Sequence, residues 1–222
     1  MRIQKLMRLT RIRHVLAIVV LYISSACTQN QAPAPEEPCG FIQNTYQQRV
    51  SWKAALPIRI ALDESVPEEA IPSVYQSIAA WEMALGRKLF EVIGRVKSAG
   101  PARDGVNVIY FLDSWSEFQD GEQARTVISW RGDWVNEADI AINSGKFAFR
   151  YGDEVHSEEG KKVLDSESLL THEFGHVLGL GHNDIESSVM NSKLDSFPSR
   201  DALRRQIQPS DEKALSCEYE RG

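Results

Sequence analysis

The eleven residues from His172 to His182 (HEFGHVLGLGH) constrain this chain more than any other stretch, because they hold three of its five histidines. His172 and His176 are four apart, so on a helix both imidazoles leave one face and can meet a single ion. Glu173 falls on the flank beside them, close to such an ion without being needed as a ligand. Were the helix to continue, His182 would lie roughly 9 Å along the axis from His176, at 1.5 Å per residue. Zinc–nitrogen bonds are about 2.0–2.1 Å, so one ion could not reach both. The chain must therefore turn back after Leu178, and Gly179 can take the left-handed conformation such a turn needs. Gly181 adds freedom. Surface histidines on an amphipathic helix would leave both glycines unexplained. The expectation is a metal centre of His172, His176 and His182, with Glu173 beside it.

The N-terminus reads as an export signal over residues 1–26. Arg2, Lys5, Arg8, Arg11 and Arg13 precede a nine-residue apolar run, Val15 to Ile23. A membrane-spanning helix needs roughly 20 apolar residues, so the run is too short to be one. Ser24, Ser25 and Ala26 then lead to Cys27. This junction resembles a bacterial lipobox, in which Cys27 would carry lipid, although Ser24 stands where leucine is usual. Ordinary signal cleavage before Cys27 suits the same residues. Either way the protein is exported, to be lipid-anchored in the cell envelope or secreted. Residues 27–38 read as a tether, with three prolines between Thr28 and Pro38 and no apolar periodicity.

The chain carries 25 basic and 31 acidic side chains, and losing the five basic ones of the signal leaves 20 against 31, or −11. So acidic a body argues against a nucleic-acid partner. In an oxidising compartment, and with Cys27 lipidated, Cys39 and Cys217 remain as an even pair. A disulfide between them would tie the start of the domain to its end.

Residues 39–222 read as one α+β domain with a mixed twisted sheet. Leu56 to Leu62 alternates like a strand. Glu68 to Leu85 places Val74, Ile78, Trp81 and Leu85 at helical spacing, and Gly86 ends the helix. Val106 to Leu112 is a strongly apolar, central strand. Thr126 to Trp130 and Ala138 to Ile142 are two further short strands, and Lys146 to Tyr151 is ambiguous. His156, among Asp153, Glu154, Glu158 and Glu159, reads as a solvated loop residue. Asp165 is a good N-cap for the histidine-bearing helix, running to about Leu178. A C-terminal helix opens at Pro209.

The full pattern H-E-x-x-H-x-x-G-x-x-H resembles the signature of the metzincin peptidases. Met190, eight residues after His182, fits the methionine turn those enzymes place beneath the metal, at a spacing similar to the matrixin branch. Ala138 to Asn143 looks like the strand before the zinc helix, Leu169-Leu170-Thr171 matches its apolar lead-in, and Ser210-Asp211-Glu212 resembles the opening of the last helix. The resemblance implies a zinc endopeptidase acting on protein or peptide, and monomeric. One catalytic zinc would sit on His172, His176 and His182 with its fourth position open, and Glu173 would serve as general base. Met190 would support the metal base. Thr126, Val127, Ile128, Ser129 and Trp130 would form the edge strand that pairs with an extended substrate. Asn191-Ser192 stands where many matrixins have Tyr-Pro. Pro38-Cys39-Gly40 is similar to the core of the matrixin cysteine switch, in which a thiolate would occupy the open zinc position, but the surrounding motif is missing, so the Cys39–Cys217 disulfide is the preferred reading. No ligand set for a second zinc stands out, and calcium sites are unassigned. A zinc-binding adhesion module without turnover is the alternative function, and the presence of Glu173 speaks against it.

Overall fold

The computed structural model describes residues 33–115, 121–192 and 202–219. The export signal, Cys27 and the first part of the tether lie outside these residues. The main sheet has five strands: β1 (Ile58–Asp63), β2 (Phe90–Val96), β3 (Asn107–Leu112), β4 (Ala124–Arg131) and β5 (Trp134–Asn143), in the order β2-β1-β3-β5-β4. All neighbours are parallel except β4, which runs antiparallel to β5 along one edge. The apolar run at 107–112 is central, as its composition requires, because a strand covered on both faces needs apolar residues at successive positions. Ile109 and Phe111 join the main core, whereas Val108 and Tyr110 join a smaller cluster on the other face with Ala61.

The first helix, α1 (Ile71–Leu85), follows a 3-10 turn at Glu68–Ala70 and ends at Gly86, whose φ is 72°. Its buried stripe is Val74, Ile78, Trp81 and Leu85. Trp81 is fully buried, and its indole N–H donates to Thr171 O at 2.9 Å, joining α1 to the second helix. Truncating such a side chain typically costs about 3–5 kcal/mol.

The second helix, α2 (Ser166–Val177), is capped by Asp165, whose side chain accepts from Ser168 N. Asp165 also takes Arg150 and Arg205, so the helix start is held both locally and from distant chain. The last helix, α3, is Pro209–Ser216.

Several features differ from the sequence expectation. The ambiguous stretch is β6 (Phe147–Tyr151), the centre of a second sheet with β7 (Glu154–His156) and β8 (Lys162–Asp165). His156 is thus an exposed strand residue, its ring edge-on to Tyr151, rather than a loop histidine. The two short strands extend outward into one hairpin whose turn uses Gly132, φ 66°. β2 was not anticipated, because its mostly exposed residues and Gly94 blur any alternation. The tether ends earlier than Pro38. Glu36 donates its N–H to Gln47 O and accepts from Arg49 N with its carboxylate, so the chain is already docked on the domain there.

Candidate metal centre

Helix α2 delivers His172, Glu173 and His176 to the floor of a cavity of about 570 Å³, whose walls include Ile42, Ala124 to Thr126, Ile128, Leu169 and His182. The helix stops at Leu178. Gly179 then adopts φ 98°, and a Cβ there would lie 2.3 Å from Val50 O, so both the turn and the neighbouring backbone demand glycine. The chain folds back, and the three Nε2 atoms of His172, His176 and His182 form a triangle with every side 3.1 Å. The centre of such a triangle is about 1.8 Å from each nitrogen, a spacing compatible with zinc–nitrogen bonds of about 2.0–2.1 Å. These three are the one group of potential metal ligands among the described residues.

The other ring nitrogens are used to aim the first. His172 Nδ1 lies 2.6 Å from Val189 O and His176 Nδ1 2.8 Å from Leu180 O. A carbonyl can only accept, so each Nδ1 carries the proton and each Nε2 presents its lone pair. Burial disfavours the charged form of all three imidazoles: it holds His172 down at about 3, helped by the neighbouring His176, and lowers His176 and His182 as well. Neutral imidazole is the form that binds zinc. The residues present fit the ion.

Met190 is buried directly beneath α2. A Cβ on Gly175 would meet Met190 Sδ at 2.2 Å and Trp81 at 2.9 Å, so glycine between the two helix ligands lets the thioether approach the helix backbone. The turn carrying Met190 is anchored from α3. Asp211 accepts from Ser188 Oγ and, at 3.1 Å, from Val189 N, and it also caps its own helix through Gln208 N. Because Val189 O holds His172, the anchoring runs from α3 through the turn to a ligand.

Glu173 is buried, and burial pushes its carboxyl up to about 7, with Glu122 adding to the rise while Thr126 and Arg125 oppose it. Thr126 Oγ1 donates to Glu173 Oε2 at 2.6 Å. Thr126 to Trp130 all lie on the sheet-edge strand β4, and Thr126 and Ile128 line the cavity. Cys39 and Cys217 are joined by a disulfide with Cα atoms 6.3 Å apart, which leaves no thiolate at Cys39 for a metal.

Sequence reasoning missed three participants. Gly175 was detectable, since glycine inside a helix costs about 1 kcal/mol relative to alanine and needs a packing reason. The Asp211 side chain and the Thr126 hydroxyl were not, because both act through contacts made by distant chain. No curated protein matches the chain. The Matrixin peptidase family model matches residues 102–220, which includes β3 to α3 and every histidine of the centre. With a zinc-type three-histidine site, a mixed five-stranded sheet, an active-site helix and a C-terminal helix, the chain belongs to the matrixin family of metallopeptidases.

Proposed function

We propose that this protein is an endopeptidase that hydrolyses peptide bonds with one zinc ion held by His172, His176 and His182 and with Glu173 as general base. The observation that carries this reading is the convergence of the three Nε2 atoms beside a buried carboxylate, in a cavity bordered by an edge strand. Bound zinc supplies a Lewis acid that polarises the peptide carbonyl and acidifies water. The chain's own residues do the rest. An extended peptide adds to β4, whose edge offers backbone partners. Glu173 takes a proton from the attacking water as its oxygen bonds to the carbonyl carbon. The same carboxyl then delivers the proton to the amide nitrogen as the C–N bond breaks. Atoms balance with water alone as co-reactant.

A zinc-binding module without turnover has no use for a base at this position. Glu173→Ala therefore separates the two functions. It should retain about one zinc per chain and lose hydrolysis by at least about 10²–10⁴-fold. Unchanged cleavage of an internally quenched peptide by that variant would remove Glu173 from the mechanism.

A further inference from the structure

Thr126 pairs with Ile140 across the β4–β5 ladder. Residues directly opposite in an antiparallel pair project to the same face, and Ile140 is fully buried in the main core with Phe174 and Val177 of α2. The Thr126 side chain is therefore on the face that α2 covers. Valine would fill that place with the same shape and an equal preference for a half-buried strand. Packing alone asks for no hydroxyl. What the hydroxyl does is donate to Glu173 Oε2 at 2.6 Å, with the backbone Glu173 O a longer second acceptor at 3.3 Å.

A carboxylate has two equivalent oxygens and a free torsion that exchanges them. A donor fixed on a strand removes that equivalence. We infer that Thr126 is a positioning residue for Glu173: it holds Oε2, so that Oε1 alone receives and returns the proton. The inference rests on the reading of Glu173 as base. Through the cycle the water proton moves to Oε1 and then to the leaving nitrogen, while Thr126 keeps its own proton and stays bonded to Oε2. The consequence is that β4 does two jobs at one residue. Its backbone edge aligns the scissile peptide and its Thr126 hydroxyl aligns the base, so the attack geometry is set by a single strand.

The test compares zinc-loaded Thr126→Val, Thr126→Ser and Glu173→Ala with the parent protein, on an internally quenched peptide drawn from a mixed-sequence library. Thr126→Val keeps the shape and loses the donor. It should bind zinc in full, keep KM within about twofold, and lose kcat by about ten- to a hundredfold, the range for one hydrogen bond to a charged group. Thr126→Ser loses the methyl and keeps the donor, and should recover most of kcat. A merely structural role gives the reverse order, with valine harmless and serine worse, and that result overturns the inference. Equal losses in both variants overturn it too. Failure of the underlying reading has a different signature: Glu173→Ala then cleaves as well as the parent, whatever the Thr126 variants do, and both proposals fall.

Discussion

His172 and His176 are placed by a local rule, and His182 is placed by distant chain. The first two share one face of α2 because four residues make about one helical turn. The third sits on a turn that is clamped by a strap from the other end of the domain. Ile42 N donates to Gly179 O at 2.9 Å, Gly181 N donates to Gly40 O at 2.8 Å, and Phe41 bridges Leu180. Leu180 O is also the acceptor for His176 Nδ1, so the strap reaches two ligands. The Cys39–Cys217 disulfide fastens the strap's start to the end of α3, across a sequence separation of 178. Spacing can specify a pair of ligands, then, while the turn that carries the third is bonded to chain from the far end of the domain.

The most forceful way to break this contrast is to cut the strap's fastening. Replacing both Cys39 and Cys217 with serine should lower stability in urea by up to about 5 kcal/mol on chain entropy, commonly less. Zinc affinity, measured by competition with a chelator, should fall with it, while the helical circular dichroism of the folded variant stays. A loss of stability with undiminished zinc affinity would mean that the disulfide serves the fold and not His182. Next in size is Gly179→Ala. A left-handed backbone and a Cβ at 2.3 Å from Val50 O should together cost about 2–4 kcal/mol and weaken zinc binding. Gly86→Ala is the control: its φ is 72° with nothing within 4 Å, so it should cost about 1–2 kcal/mol and leave the metal alone. Equal effects of the two on zinc would show that the strap does not matter.

The smallest effect sharpens the local side of the contrast. Burial alone would raise the pKa of Asp165, but hydrogen bonds from Arg205, Ser168 and Arg150 outweigh it and hold the group at about 2, below its ordinary 3.8. The depressed pKa contributes about 2 kcal/mol that is present above pH 4 and lost as pH falls through about 2. Thermal midpoints measured between pH 2 and 5 should show this acid limb, and Asp165→Asn should flatten it. An unchanged slope in that variant would place the acid sensitivity elsewhere.

What could be read in the sequence follows the same division. The helix ligands, Glu173 and the turn at Gly179 were legible because helical period and bond length leave few alternatives. The central strand at 107–112 was legible because burial on both faces leaves a continuous apolar run. The second sheet was not. β7 and β8 have three and four residues, too few to display a period of two, and β7 is fully exposed. Asp211 looked like an ordinary first-turn acid, which it also is; its hold on Ser188 and Val189 depends on where α3 docks. Thr126 reads in the sequence as edge-strand backbone, and its hydroxyl has a partner only because α2 packs against β4 and brings Glu173 opposite it.

The two ends of the folded domain are stitched to each other. Beyond the disulfide, Glu218 takes Arg49, Ser51 and Lys53, and the Tyr219 hydroxyl accepts from Trp52 N while donating to Leu178 O. In the function proposed above, β4 would pair with an extended chain, and copies of this protein would be among the chains on offer. Near the two ends, the backbone N–H groups of Glu36, Ile42 and Val50 and of Cys217 and Tyr219 are already engaged within the domain. If the chain cleaves peptides as proposed above, the same stitching that steadies the third ligand would also make these two end segments poor substrates for a neighbouring copy.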